Sequence, residues 1–198
     1  MAINFPEGTQ NYPGRVHRVY QAHFTSTQQI SISSTGENVW YDVTNLSIAI
    51  APRSSSNVLI GHMHIQAIDD SQNKDCGCMF RFADSAGNGH GVGNAGSRVR
   101  MTTGSMYSYS AYHSGDNGSS SYDYLLMSYS GSFYYAPNST NSVTYKVQGR
   151  AGDASYTTNT LFINRSRADS NVNQSDGGSA GWQGRACSSM IIYELEPN

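Results

Sequence analysis

Two pairs of potential metal ligands lie close together in the middle of the chain. His62 and His64 stand in the apolar run LIGHMHI (59–65), and Cys76 and Cys78 follow in the tripeptide CGC. Side chains at positions i and i+2 point to the same face of a β-strand, so each pair would present its two donors together. Two imidazoles and two thiolates make a reasonable tetrahedral zinc site. The spacing therefore raises the hypothesis of a His₂Cys₂ metal centre.

The residues around the histidines argue against that centre. Alternation along NVLIGHMHIQAI (57–68) divides a strand into two faces, with Leu59, Met63, Ile65 and Ala67 on one and Val58, Ile60, His62, His64 and Gln66 on the other. The second face turns from apolar to polar, which is typical of a strand that leaves the core for the surface or a subunit interface. The paired C-x₂-C spacing of zinc ribbons is absent. We predict no metal and no other cofactor, with His62 and His64 as the remaining candidate ligands.

Two short motifs of enzymes occur without the context that they need. Residues 177–181 (GGSAG) match G-x-S-x-G, but NVNQSD precedes them and WQGR follows, where a nucleophile elbow requires a strand and a helix. Gly91, Gly93 and Gly96 match G-x-G-x-x-G, but the strand-like segment RVRMTT follows instead of a phosphate-binding helix. Apart from these motifs, only loop carboxylates such as Asp69 and Asp70 support the hypothesis of a small hydrolase. We predict that the protein is not an enzyme.

The composition limits the class of protein. The chain has 198 residues, of which 37% are hydrophobic and only 13% charged, and its formal net charge is −2. Disordered chains combine high net charge with few aromatic residues, whereas this one has 14 tyrosines. No basic patch indicates nucleic acid as a partner. No apolar run is long enough to span a membrane as a helix, and the N-terminus does not resemble a signal peptide, so we expect synthesis in a cytoplasm without membrane insertion.

Strand-like segments recur along the chain, separated by clusters of Gly, Ser, Asn and Asp. We predict strands at 15–24, 29–33, 38–43, 46–51, 57–68, 76–83, 98–103, 122–130, 143–151, 160–166 and 187–196, with long exposed loops at 84–97, 113–121 and 171–184. This pattern predicts an all-β fold, an antiparallel β-sandwich of the jelly-roll-like kind over residues 16–198. Residues 1–15 form an extended N-terminal arm whose apolar Ile3, Phe5 and Tyr12 we expect to dock on the same domain or on another chain.

Tyrosine alternates with serine between residues 106 and 135. Tyrosine combines a rigid ring with a hydroxyl group, and binding surfaces favour it together with Ser, Gly and Asn. The candidate contact or ligand surface consists of Tyr107, Tyr109, Tyr122, Tyr124 and Trp182. Either a glycan or another subunit would use such residues, and half-buried tyrosines on a polar sheet remain the simpler alternative.

Two segments resemble a β-sandwich domain found in virion proteins of tailed phages. NVWYDVTNLSIAIAPRSSSNVLI (38–60) is similar to its opening strand–turn–strand pattern, at Trp40, Asp42, Val43, Leu46, Ser47, Ile50, Pro52, Ser54, Ser56, Leu59 and Ile60. The segments TYKVQGRA, TLFINRS and SSMIIYELEP are similar to its closing strands, which end in S-x-I-x-x-x-E. Here Ser189 to Glu194 (SMIIYE) match that ending with one residue fewer before the glutamate. The opening INFPEGTQ is similar to the start of phage fibre and appendage proteins. The chain departs from the family at His62 and His64, where aliphatic residues are usual, and in the glycine-rich loop at 84–97.

The resemblance implies a structural function in a phage virion, as a short fibre, head appendage or capsid decoration. It implies a homotrimer without enzymatic activity, assembled in the host cytoplasm, whose partners are its own copies, capsid, portal or tail proteins, and in some cases a receptor on the host surface. The arm would anchor the protein to the particle. In a trimer, the histidines of three copies would gather near an interface, and assembly would weaken as the pH falls through the histidine range near 6.5. The alternative is a carbohydrate-binding module or lectin that uses the tyrosine surface.

Overall fold

The computed structural model describes residues 15–33, 39–69, 76–94, 99–107, 126–151, 158–166 and 184–196. These ranges contain β-strands, turns and irregular segments but no helix, and hence no helix that could cross a membrane. The strands are β1 (Val16–Phe24), β2 (Gln28–Ser33), β3 (Tyr41–Ile50), β4 (Val58–Asp69), β5 (Cys76–Asp84), β6 (Gly89–His90), β7 (Thr103–Tyr107), β8 (Met127–Tyr135), β9 (Val143–Ala151), β10 (Thr158–Ile163) and β11 (Ser188–Leu195).

The strands form two antiparallel sheets. In the larger sheet β4 is central: β8 pairs with one side of it, while β11 and then β10 pair with the other. β1 pairs with β11 and β2 with β10, so the sheet is four strands wide. In the smaller sheet the order is β3, β9, β5, and then β6 and β7 beside β5. The chain passes repeatedly from one sheet to the other between β2 and β10, which is a sandwich topology.

The apolar faces of the two sheets pack against each other. The core cluster draws on both, and ring contacts join them, for example Phe80 of β5 with Tyr129 of β8 at 5.0 Å and Phe82 with Phe133 at 4.6 Å. The predicted all-β, antiparallel, jelly-roll-like sandwich is therefore confirmed. Its cohesion comes mainly from the aliphatic and aromatic surface that the two sheets remove from water.

Strand β4 shows the alternation that the sequence predicts. Leu59, Met63, Ile65 and Ala67 are buried in the core, while His62 and His64 are exposed on the other side. Gly61 belongs to the buried face, where a side chain would collide with the ring of Phe133, since an added Cβ would lie 2.0 Å from it. The glycine in LIGHMHI therefore makes room for an aromatic ring of the neighbouring strand β8.

Some strand predictions differ from the structure. The segments 38–43 and 46–51 belong to a single strand, because Asn45 adopts a left-handed conformation (φ 61°) in a β-bulge that does not interrupt β3. Strand β7 begins at Thr103, where the predicted strand 98–103 ends, and β8 extends to Tyr135, five residues beyond the predicted end. Serine alternates with aromatic residues in β8 as well. There the aromatic residues Tyr129 and Phe133 are buried in the core and do not belong to a contact surface.

The predicted exposed loop at 84–97 is exposed at residues 85–88, but it also contains a short strand, β6, that the sequence did not predict. Residues 84–90 form a hairpin between β5 and β6, in which Asp84 accepts hydrogen bonds from the backbone N–H groups of Ala86 and Asn88, both at 2.9 Å. Gly91 has φ 63° and approaches Phe133 so closely that an added Cβ would lie 2.6 Å from that residue. This glycine of the G-x-G-x-x-G match thus has a packing role.

Asn164 joins the two halves of the larger sheet. Its side-chain amide donates to the carbonyl oxygens of Phe24 (2.7 Å) and Ser26 (2.8 Å), where the chain passes from β1 to β2. Its Oδ1 accepts a hydrogen bond of 2.6 Å from the hydroxyl of Ser188, and its backbone N–H donates to the carbonyl of Gln66 at 2.7 Å. Asn164 is fully buried with φ 60°. The side chain of Asn164 thus connects the β1–β2 passage with β11, and its backbone connects both with β4.

Candidate functional site

The surface of the larger sheet that points away from the core carries the two candidate histidines. Cross-strand partners lie on the same side of a sheet, so the strand register identifies the residues around them. We call this surface the histidine face. Its four cross-strand rows are, in order along β4, Tyr134, Ile60, Tyr193 and Val19; then Ser132, His62, Ile191 and Gln21; then Ser130, His64, Ser189 and His23; and finally Ser128 and Gln66.

The composition of the histidine face is unusual for a protein surface, because it contains no Asp, Glu, Lys or Arg. Its first row is apolar and well exposed: 65% of Tyr134 and 48% of Val19 is accessible to solvent. The other rows consist of hydroxyls, amides, one isoleucine and three imidazoles. The third imidazole, His23, was not a candidate in the sequence, since only the register of β1 with β11 places it in the row of His64.

His64 is held by its neighbours. The amide of Gln66 donates to Nε2 of His64 at 2.8 Å and to the hydroxyl of Ser128 at 2.6 Å. With Nε2 accepting, the neutral ring carries its proton on Nδ1, which lies 3.1 Å from the hydroxyl of Ser130. These hydrogen bonds fix the orientation of the His64 ring on the histidine face.

His62 and His64 also line an open groove of about 470 Å³. The short side chains of β8 form one side of it, and Ser189 and Ile191 of β11 form the other. The ring of Tyr193 meets that of His62 edge to face, with ring centres 6.1 Å apart. The groove thus offers neutral hydrogen-bonding groups beside an aromatic ring, which suits a polar uncharged ligand as well as a second protein surface.

The structure does not form the His₂Cys₂ group considered above. Cys78 is fully buried in the core, on the inner face of the smaller sheet, whereas His62 and His64 point outward from the larger one. Strand β5, which carries both cysteines, belongs to the smaller sheet, so the two pairs lie on different sheets. Across the ranges that the structure describes, no group of three or more His, Cys, Asp or Glu side chains is arranged to hold a metal ion.

Most of the other candidate residues lie outside the described ranges. These are Ile3, Phe5 and Tyr12 of the arm, and Tyr109, Tyr122, Tyr124 and Trp182 of the proposed contact surface. Tyr107 ends strand β7, where its backbone pairs with Cys76. The arm and the tyrosine surface stay predictions.

A buried carboxylate–imidazole pair, which the sequence did not reveal, lies at the β5–β6 hairpin. Nε2 of His90 stands 3.3 Å from Oδ2 of Asp84, and only 7% of His90 is exposed. Three rings surround the imidazole, from Phe133, Tyr135 and Tyr145, with ring centres 5.8, 4.4 and 5.5 Å away. The pair resembles the base and orienting acid of a hydrolase. Because aromatic rings surround the imidazole, we interpret the pair as part of the packing between the sheets.

Burial decides the protonation states in this pair. It lowers the pKa of His90 below its ordinary value, although the nearby Asp84 carboxylate acts in the opposite direction. Burial acts to raise the pKa of Asp84, but hydrogen bonds from Asn88 and the backbone, together with the charge of His90, outweigh it and lower that pKa. Burial also raises the pKa of Tyr145 to about 12. The pair is therefore a neutral imidazole beside an ionised carboxylate near neutral pH.

The two segments that carry the family resemblance meet at one end of the sandwich. Glu194, the glutamate that closes S-x-I-x-x-x-E, is fully buried and accepts hydrogen bonds from the Arg53 backbone (2.7 Å), the Asn57 side chain (2.6 Å) and the Tyr20 hydroxyl (3.0 Å). Burial acts to raise the pKa of Glu194, but these hydrogen bonds outweigh it and lower the pKa. Glu194 thus fastens the β3–β4 turn to β11.

The outer surface of the smaller sheet differs strongly from the histidine face. Asp42 there accepts hydrogen bonds from Lys146 (2.9 Å) and Gln148 (2.7 Å). The guanidinium groups of Arg81 and Arg150 lie 4.6 and 5.9 Å from the ring centre of Trp40. Charged groups therefore cover this outer surface, whereas the four rows of the histidine face contain none. Beyond those rows, the guanidinium of Arg165 lies 5.1 Å from the ring centre of Phe162 in β10.

No protein-family model matches the chain, and no curated protein matches it. Two solved structures similar to it come from infectious bursal disease virus. One is the structure of the Gx strain, with a TM-score of 0.34, 11% sequence identity and coverage of 100% of this chain and 47% of that chain. The other is the VP2 subviral particle, with a TM-score of 0.30, 11% identity and coverage of 100% and 46%. The chain spans about half the length of these two structures.

Proposed function

We propose that the protein is a non-enzymatic structural component of a phage virion that works as a homotrimer. The observation that carries this proposal is the histidine face, an exposed surface of one sheet without a formal charge. Protein interfaces are depleted of charged residues at their centre and enriched in aromatic ones. The histidine face consists of Tyr, Ile, Val, Ser, Gln and His, whereas the opposite outer surface of the sandwich carries charged groups. This difference suits a protein that functions as part of a permanent assembly.

The Glu194 contacts support the phage assignment in a second way. The opening and closing segments that resemble the phage domain are far apart in the sequence, yet Glu194 of the second accepts hydrogen bonds from the turn of the first. Residues shared with a family are expected to be those that its fold needs. The location would be the virion, as a short fibre, head appendage or capsid decoration, and residues 1–15 would attach it to capsid, portal or tail proteins.

Electron microscopy of particles tests this function directly. Particles that contain the chain should show additional density that disappears when its gene is deleted and returns with complementation. An antibody against the chain should label the same position. Purified particles that lack the chain altogether, although the host produces it, would contradict the proposal.

A carbohydrate-binding module is the second candidate, and the groove beside His62 favours it. Hydroxyl, amide and imidazole groups next to Tyr193 form the kind of neutral, partly aromatic surface on which a sugar can bind. Binding to a glycan array that is lost in the variant His62→Ala would support a glycan site in this groove. Loss in Tyr107→Ala or Tyr124→Ala, with His62→Ala unaffected, would instead place the site on the tyrosine surface.

A further inference from the structure

The histidine face has the properties of a surface that a second copy of the same chain covers. Its first row exposes Tyr134 and Val19 together with the partly buried Ile60 and Tyr193. Leaving such a row in water is unfavourable, and burying it against an equally apolar row is favourable. Strands are about 4.8 Å apart and same-facing residues about 7 Å apart, so the face measures roughly 20 Å by 20 Å. That is enough for the centre of an interface, with neighbouring elements completing the rim.

The absence of charge selects the partner. A partner with charged groups would find no opposite charge on this face and would lose hydration on binding. A second copy brings the same uncharged surface and therefore meets no like-charge repulsion at neutral pH. Around a threefold axis each copy turns one side of this face to the next copy and the other side to the previous one. The Ser, Gln and His side chains can both donate and accept hydrogen bonds, so they can pair across each of these contacts. We therefore infer that copies of this chain pack together through the histidine face, and that acid separates them. This inference rests on the proposed homotrimer and specifies its contact surface.

The acid effect follows from what surrounds the imidazoles. His62 is flanked by Ser132 and Ile191 on the neighbouring strands and by Tyr193, and His64 by Ser130, Ser189 and Gln66.

His23 is flanked by Ser189 and by Gln21, whose Oε1 lies 3.3 Å from its Nε2. No carboxylate in the histidine face balances a charge on these rings. Arg18 and Glu194, at one end of the sheet, belong to the opposite side of their strands. At the other end, beyond the row of Gln66, the guanidinium of Arg165 lies 5.1 Å from the ring centre of Phe162. Protonation of these rings in acid would bring several positive charges into one contact, where no carboxylate of the face balances them.

The test compares the mass of the full chain in solution for four proteins at equal concentration, at pH 7.5 and pH 5.5. The first variant, Ser132→Lys, places a charge in the middle of the face, next to His62. Its matched control, Ala49→Lys, places the same charge on an exposed strand position of the smaller sheet. The second variant replaces all three rings of the face: His23→Gln, His62→Gln and His64→Gln. Circular dichroism verifies that each protein is folded at each pH.

The wild type and Ala49→Lys should be trimers at pH 7.5, and Ser132→Lys should dissociate about 100-fold more readily. At pH 5.5 the wild type should separate into folded monomers, while the triple histidine variant stays assembled. A Ser132→Lys protein that remains as stable a trimer as Ala49→Lys would overturn the assignment of the surface and leave the proposed trimer intact. A wild-type trimer at both pH values would overturn the acid effect. A wild-type monomer at pH 7.5 would contradict the proposed function itself.

Discussion

At the scale of single residues, the buried polar groups contribute more to the stability of the fold than the exposed ones. Glu194, Asp84 and His90 are almost inaccessible to water, and each has hydrogen-bonding partners from distant or neighbouring strands. A buried carboxylate needs its hydrogen-bond donors, because an unpaired buried charge strongly destabilises the folded state. Their substitution should therefore affect stability much more than substitution of similar residues at the surface.

The variant Glu194→Gln keeps the size of the side chain but removes the charge that three donors share. We expect the free energy of unfolding to fall by about 3 kcal/mol, since hydrogen bonds to charged groups contribute more than neutral ones. Chemical denaturation at pH 7 measures the change. The control is Glu196→Gln, an exposed glutamate whose contact is His17 at 3.7 Å. Equal stability of the two variants would contradict the role assigned to Glu194.

His90 should make the fold sensitive to mild acid. Its pKa is lower in the folded protein than in the unfolded chain, so below about pH 6.5 the unfolded state binds more protons. The stability that depends on neutral His90 is therefore complete above that pH and is lost as the pH falls toward the lowered pKa. Asp84 adds a loss at lower pH, as the pH falls below the ordinary range of aspartate.

The measurement is the free energy of unfolding between pH 8 and pH 5 for the wild type and His90→Gln. The variant should be less stable at pH 8, because the ring packing is lost, but its stability should change less between pH 6.5 and pH 5. Ala49→Gln, at an exposed position of the smaller sheet, is the control and should keep the wild-type slope. The same slope in His90→Gln and the wild type would show that another group causes the acid sensitivity.

At the scale of secondary-structure elements, the pattern of alternation was sufficient for most of the sandwich. It predicted β4 with its inner and outer faces, as well as β1, β9 and β11, because a half-buried strand shows a period of two residues. It could not predict that Asn45 belongs to a bulge, since an Asn in a left-handed conformation occurs both in turns and in bulges. It also missed β6, which has only two residues and depends on Asp84 for its turn.

The candidate site was predicted in part for a related reason. Residues two apart on one strand can be recognised in a sequence, and His62 and His64 were. The position of His23 depends on which strands pair and in what register. Neither can be predicted from the residues near His23 in the sequence. The absence of charge on the whole face is likewise a property of four strands together.

Asn164 is the residue on which the continuity of the larger sheet depends, and its loss should be severe. Asn164→Ala removes the side-chain amide that the β1–β2 break and β11 share, and we expect the free energy of unfolding to fall by about 3 kcal/mol or more. The control Asn138→Ala has the same left-handed backbone (φ 51°) at an exposed position. The control should lose only about 1 kcal/mol from backbone strain. Similar losses in both variants would refute a special role of the buried amide.

At the scale of the whole molecule, the two outer surfaces of the sandwich differ in the charged groups that they carry. The smaller sheet carries Asp42, Lys146 and the arginines beside Trp40, which are compatible with exposure to water. The larger sheet presents the histidine face, which is uncharged and partly apolar. A sandwich with one charged and one uncharged outer surface is suited to a ring of copies whose uncharged surfaces face inward.

The mass of the intact chain in solution tests the proposed assembly most directly. The chain alone has a mass of 21.5 kDa. Sedimentation or light scattering at pH 7.5 should give a mass three times that of the chain, about 65 kDa. A mass that stays at that of the single chain over the accessible concentration range would contradict the proposed homotrimer.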